Sequence, residues 1–199
     1  MAASLPELAT PRLALRLGRA SMAGAVARFF TENWEGHLDR WSPPPAPGFF
    51  EAKYWRERLE REEADWEAGI AARFVLQLPG PESGPVIGTC NYTNVVRGVF
   101  QACHLGYQIA RDHEGRGLMR EALEALNAFA FDEMGLHRIM ANYIPANERS
   151  GQLLTRLGFE REGYAKNYLY IAGQWQDHVL TALVNRDFDP QRFEPGVAR

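Results

Sequence analysis

The stretch RLALRL (12–17) alternates basic and apolar residues with period two, and SMAGAVARFFTEN (21–33) then shifts to helical spacing. This predicts a half-buried strand followed by a helix, with Ser21 as its N-cap. The prolines of WSPPPAPGFF (41–50) cannot continue a helix, so that segment reads as a loop ahead of a charged second helix, EAKYWRERLEREEADWEAG (51–69). IAARFVLQL (70–78) and GPVIGTCNYTNVV (84–96), separated by the turn cluster PGPES, read as antiparallel strands, and FQACHLGYQIA (100–110) follows as a third. From Gly117, the residues Leu118, Ala122, Leu126 and Phe129 place one apolar face on a helix running to about Met134. LHRIMANYI (136–144) is a further strand, and NERSGQLLTRLG (147–158) a helix stopped by Gly158. YLYIAGQWQDHVLTALV (168–184) holds two strands joined by a turn at Ala172 and Gly173, and the residues after Asn185 read as an irregular tail. The order β, α, α, β, β, β, α, β, α, β, β predicts an α+β fold without internal repeats.

Composition narrows this little. A chain of 199 residues, 46% hydrophobic, fills one core and is short for two, so a single domain is expected with its core at about 10–185 and its tail at 186–199. The formal net charge of −3 comes from 22 basic and 25 acidic residues spread along the chain, which argues against direct nucleic-acid binding. Cys90 and Cys103 lack metal or redox spacing, MAASLPELATPRL has no apolar core suited to a signal peptide, and no apolar run approaches the roughly 20 residues of a membrane span. A cytoplasmic protein with free thiols and no membrane association is expected. His37, His104, His113 and His137 form no i, i+4 ligand pair, so no metal site is expected.

HEGRGLM (113–119) opens a different question. A strand, a loop with two glycines and a helix start form the arrangement in which free backbone N–H groups and the positive end of a helix dipole meet an anion. Arg116 and Arg120 add charge. The spacing fits neither the dinucleotide fingerprint nor the Lys-terminated phosphate loop, and a plain turn competes with a phosphate cradle.

The element order, EGRGLM and NERSGQLLTRLGFEREGY together resemble the GNAT superfamily of acetyl-CoA-dependent N-acetyltransferases. NVVRG, CHLGY, HRIMANY and GQWQDHVLTAL narrow the resemblance to the RimJ-type ribosomal-protein alanine N-acetyltransferases, most densely over residues 86–184. The resemblance implies a GNAT fold: a mixed, mostly antiparallel sheet of about seven strands with four helices, splayed between the fourth and fifth strands. It also implies acetyl-CoA as acetyl donor, with Tyr107, Gln108 and Ile109 pairing the pantetheine arm. Gly115, Arg116, Gly117, Leu118, Met119 and Arg120 would hold the pyrophosphate, and Asn147 would bind the cofactor beside the next helix. Two positions depart from the family pattern: Met119 replaces a small residue, and Glu114 places a carboxylate where Gln or Arg usually stands. Glu114 is expected to turn to solvent or to pair with an arginine.

Acetylation requires a neutral amine, a proton donor for the departing thiolate and a hydrogen-bond donor for the thioester oxygen. Family members often carry a tyrosine donor where this chain has Leu154, and a base where it has Asn142. Ser150, one turn earlier, matches a serine proposed as acid in related ribosomal acetyltransferases; a helix-start serine also commonly satisfies backbone groups. Asp177 is the second catalytic candidate. It neighbours His178 on a strand, where adjacent side chains face opposite ways and only one of the two readily reaches a cleft. Trp34, Trp41 and Trp175 could line a peptide groove, and Asn33, Trp41, Asn91 and Tyr168 are the substrate-pocket candidates. The resemblance implies a ribosomal-protein N-terminus as acceptor and admits the assembling small subunit as a partner. An amino acid, peptide antibiotic or polyamine acceptor, or an assembly factor that keeps only the fold, stays open, as does the oligomeric state.

Overall fold

Leu13, Leu15 and Leu17 turn to one side of their strand and Ala14 and Arg16 to the other, yet all five are buried. The computed structural model, which describes residues 5–189, explains this by covering both faces of the sheet. The half-buried strand expected at 12–17 is therefore enclosed on both faces. Arg16 is tolerated inside because its guanidinium pairs with Glu7 at 2.8 Å and donates to Gln77 Oε1 at 2.8 Å and Gly80 O at 3.0 Å.

In chain order the elements are β1 (Glu7–Ala9), β2 (Ala14–Leu17), α1 (Ala23–Asn33), α2 (Ala52–Glu67), β3 (Ala72–Gln77), β4 (Val86–Val96), β5 (Ala102–Ile109), α3 (Leu118–Asp132), β6 (Arg138–Met140), α4 (Glu148–Arg156), β7 (Glu160–Ile171) and β8 (Gln174–Val184). The eight strands form one sheet in the order β1-β2-β3-β4-β5-β6-β8-β7, antiparallel except between β5 and β6. About seven strands were expected; β1, only three residues long, accounts for the eighth.

Period two along β3 sends Phe74 and Leu76 to one core and Val75 to the other. On the first face α3 lays down Leu118, Ala122, Leu123 and Leu126, each nearly or wholly buried, and each of the three leucines contributes roughly 1.5–3 kcal/mol. On the second face α1 and α2 bring Phe29, Phe30, Trp55 and Leu59, with Phe30 and Trp55 stacked at 4.7 Å. Ser21 does not cap α1: a short 3-10 turn at Ala20–Met22 precedes the helix, and the Ser21 hydroxyl donates to Glu82. No helix among the described residues is long and apolar enough to cross a membrane.

The parallel pairing of β5 with β6 lasts only from Ala102 opposite Arg138 to His104 opposite Met140. Beyond it β5 continues on β4 to Ile109, while the chain after β6 turns toward β8, with Ala141 N–H donating to Thr181 O and Tyr143 bridging Val179. The sheet therefore splays along the second half of β5, and the strand expected over 136–144 is regular only at 138–140. Residues 186–189 lie in no helix or strand, and the rest of the expected tail lies outside the described residues.

Candidate active site

Both loop glycines are needed for backbone reasons. Gly115 has φ 71° and Gly117 φ 74°, a left-handed conformation that costs a side-chain-bearing residue roughly 1–2 kcal/mol. Gly117 is the residue from which α3 departs, and the first intrahelical bond runs from Glu121 N–H to Gly117 O. The amide hydrogens from Gly115 to Arg120 consequently find no protein acceptor among the described residues, at the positive end of a 15-residue helix. The loop is braced from outside. Arg12 Nη1 donates to Arg116 O at 2.8 Å, Arg12 Nε pairs with Glu121 at 2.6 Å, and the Thr10 hydroxyl donates to the same carboxylate at 2.6 Å. Burial pushes the Glu121 carboxyl up, but these hydrogen bonds and the Arg12 charge outweigh it and hold the group below its ordinary range.

The loop opens onto a cleft of about 1050 Å³ that runs through the splay of the sheet. Tyr107, Gln108 and Ile109 form one wall; Asn142, Asn147, Ser150 and Leu154 lie on the other. The Tyr107 hydroxyl spans the gap to Ser150 Oγ at 2.7 Å, and burial pushes the Tyr107 phenol up to about 12 despite that bond, so it stays protonated. Ser150 N–H is capped by Asn147 Oδ1 at 3.2 Å, which answers the helix-start role of this segment through its backbone and leaves the serine hydroxyl to the cleft. His37 Nε2 meets Ile109 O at 2.9 Å, and Gln108 Nε2 donates to Ser42 Oγ at 2.8 Å, tying the segment after α1 to β5. Thr89, directly opposite Gln108 on β4, has a buried hydroxyl with no partner among the described residues.

Of the residues singled out in the sequence, Tyr107, Gln108, Ile109, Gly115, Gly117, Leu118, Met119, Arg120, Asn147, Ser150, Trp41 and Asn91 line this cleft. Arg116 contributes its backbone to the loop, with its side chain exposed, and Arg120 is held by Glu124 at 2.8 Å. Glu114 pairs with Arg149 on α4, the second of the two arrangements expected for it. Asn33 does not line the cleft: its Oδ1 accepts Arg111 N–H at 2.9 Å and fixes the end of α1 to the chain after β5. Tyr168 stands behind the lining, its hydroxyl accepting from Asn142 Nδ2 at 3.2 Å.

Asp177 requires a correction. Its carboxylate accepts from the Tyr164 hydroxyl and Asn167 N–H, both at 2.8 Å, on the face of the β7–β8 hairpin turned away from the cleft. Strand alternation gives the cleft to His178 instead, which is 3% exposed. The sequence reading also missed the brace of Thr10, Arg12 and Glu121, because the partners are 109 to 111 residues apart and no local pattern joins them. Among the described residues no group of three or more His, Cys, Asp or Glu is placed to hold a metal ion.

The chain matches the acetyltransferase (GNAT) domain family over residues 12–160. It is 45% identical to the ribosomal protein uS5 alanine N-acetyltransferase of Escherichia coli (strain K12) over 94% of each chain. Among solved structures, a ribosomal-protein-S5-alanine acetyltransferase from Vibrio fischeri superposes with a TM-score of 0.87 at 37% identity, covering 93% of this chain and 100% of that one. Mycobacterium smegmatis RimJ, in complex with CoA-disulfide, superposes with a TM-score of 0.82 at 28% identity, covering 92% of this chain and 88% of that one. A glycine loop with free amides at a helix start, a sheet splayed beside it and a family match across three-quarters of the sequence agree: the chain belongs to the GNAT acetyltransferase family and is an acyltransferase.

Proposed function

We propose that the enzyme transfers the acetyl group of acetyl-CoA to the α-amine of an N-terminal alanine in a small-subunit ribosomal protein. The observation that carries the acceptor is the 45% identity to the E. coli uS5-alanine enzyme, which extends over 94% of each chain and so includes the acceptor-side segments as well as the cofactor loop. The cleft lining adds a physical argument. It holds seven arginines but only two carboxylates, Glu62 and Glu114, and both of these are paired with arginines. Such a lining suits the anionic donor and repels a polyamine.

The residues fit the donor. The amides from Gly115 to Arg120 take the pyrophosphate, the edge of β5 from Tyr107 to Ile109 that β6 leaves uncovered takes the pantetheine arm with the Ile109 carbonyl already engaged by His37, and Asn147 offers the NH₂ of a side chain whose oxygen is already engaged. Acetyl-CoA supplies the activated thioester. Ser150 gives its hydroxyl proton to the departing sulfur. Either hydroxyl can donate across this contact; in the arrangement this transfer uses, Tyr107 O–H donates to Ser150 Oγ, so the serine proton is free and the charge left on Oγ is met by the phenol.

The test is intact-mass measurement of ribosomal proteins from cells with and without this gene. One small-subunit protein is expected to lose the mass of a single acetyl group when the gene is absent, with the modification mapped to its N-terminal alanine. Unchanged masses across the small-subunit proteins overturn the acceptor assignment.

A further inference from the structure

An attacking amine must shed a proton, and the two carboxylates of the cleft are already committed: Glu62 to Arg58 at 2.8 Å and Glu114 to Arg149. Asn142, where family members often carry a base, has no basic lone pair; it donates to Tyr168 and accepts from Thr181 N–H. His178 is the imidazole on the β8 wall of the cleft. Its Nδ1 faces Gln176 O at 3.1 Å, a carbonyl that can only accept, so the proton sits on Nδ1 and the lone pair on Nε2. Nε2 makes no hydrogen bond to a described residue, and Tyr168 holds the ring at 5.3 Å. An imidazole with its tautomer fixed, its ring packed and its lone pair unspent is the form in which histidine accepts a proton.

We propose that His178 is the general base of the acetyl transfer, its Nε2 accepting the proton of the attacking nitrogen directly or through one water. This rests on the acetyl transfer proposed above but not on the identity of the acceptor. The neutral amine forms the C–N bond at the acetyl carbon and the C–S bond breaks. The surplus N–H proton passes to Nε2 and the sulfur takes its proton from Ser150; the imidazolium then returns its proton to solvent and the Ser150 oxygen regains one from solvent, so both groups end the turnover as they began it. Burial lowers the imidazole below its ordinary range, against the Gln176 hydrogen bond and the Asp177 charge, which raise it. The titratable groups flanking the ring are Asp177 on its own strand, Tyr168 on β7, and Tyr143, which bridges the neighbouring Val179. The lone pair is therefore available at neutral pH and is lost only as the solution becomes acidic.

The experiment follows CoA thiol release with a peptide that begins with alanine, for the wild type, His178→Gln, His178→Asn and Asp177→Asn. If both an imidazole and an amine must be neutral, log kcat/KM of the wild type falls toward acid pH with a slope approaching about two. The histidine variants are expected to bind acetyl-CoA within about twofold of the wild type, to lose about 10²-fold in kcat, and to fall with a slope of about one. Asp177→Asn is expected to keep the steeper slope. A histidine variant with the wild-type rate, or one with a lower rate but the steeper slope retained, overturns the assignment. If the wild type fails to acetylate the alanine peptide, the proposed acceptor falls, and the same slopes, read with the amine it does acetylate, still decide the role of His178.

Discussion

The Tyr107 hydroxyl lies 2.7 Å from the Ser150 hydroxyl, joining the end of β5 to the first turn of α4 across the splay of the sheet. A purely structural serine would leave Tyr107→Phe and Ser150→Ala with small effects on rate. If Ser150 protonates the thiolate and Tyr107 supports it, each change is expected to lower kcat by about 10- to 100-fold, with acetyl-CoA affinity held within about twofold. The double variant is expected to be little worse than Ser150→Ala alone, because groups acting as one unit are not additive. Steady-state kinetics with calorimetry on all three variants checks this, and fully additive losses would separate the two hydroxyls.

Glu114 places a carboxylate in the loop that would hold a pyrophosphate, partly neutralised by Arg149, whose side chain is 73% exposed. An exposed pair of this kind contributes roughly 0–1 kcal/mol to stability, so its loss costs the fold little. Glu114→Gln removes a repulsive charge and frees Arg149 for the phosphates. Acetyl-CoA is expected to bind about two- to fivefold more tightly to this variant, with the gain shrinking as salt rises. Titration calorimetry at two ionic strengths reads both effects, and weaker binding would show that the ion pair itself shapes the loop.

Glu121 ties the loop to the N-terminal segment through Arg12 and Thr10, and its carboxyl is held below its ordinary value near 4.5. A depressed carboxyl stabilises the fold fully above the unfolded value, and that contribution disappears as pH falls through the folded one. Glu121→Gln is expected to cost about 1 kcal/mol at neutral pH, discounted for the half-exposed Arg12. The difference in Tm between variant and wild type should narrow as pH drops below the ordinary carboxylate range. A gap that stays constant through acid pH would remove Glu121 from the pH response.

What was legible in the chain follows from which surfaces are covered. The α3 stripe of Leu118, Ala122 and Leu126 could be read because one face of that helix rests on the sheet. β7 starts at Glu160 rather than near Tyr168 because it is an edge strand, mostly exposed, and its pairing with β8 slips twice. Such a strand has no apolar alternation to detect. The glycine loop was readable as a turn before a helix, but the φ values of Gly115 and Gly117 and the unpaired amides are needed to read it as an anion cradle. Alternation on β8 established that Asp177 and His178 face opposite ways. Which one faced the cleft depended on the pairing with β7, which the sequence does not encode locally.

The acceptor can be tested by separating amine chemistry from pocket shape. An α-amine, with an ordinary pKa of about 7.7–8.0, is neutral near pH 7.5 roughly two to three powers of ten more often than a lysine at about 10.4. A peptide beginning with alanine is therefore expected to be acetylated, and the same peptide blocked at its α-amine but keeping an internal lysine is not. That preference alone would also arise in an enzyme with no pocket for a chain end. The second comparison replaces the first alanine with a bulky residue, which barely changes the basicity of the amine. Trp34, Phe30, Phe49 and Gln108 line the cleft, with Trp34 and Phe49 packed at 5.2 Å, Phe30 and Phe49 at 4.9 Å, and Gln108 fixed by Ser42, and a pocket built from these packed side chains would have to be pushed open by a large first residue. At fixed pH, kcat/KM is expected to fall by at least about 10- to 100-fold for the bulky residue, the discrimination a closely shaped apolar pocket can supply. Equal rates for alanine and a bulky residue would refute selectivity for small first residues, and preferential acetylation of the internal lysine would refute an N-terminal acceptor altogether.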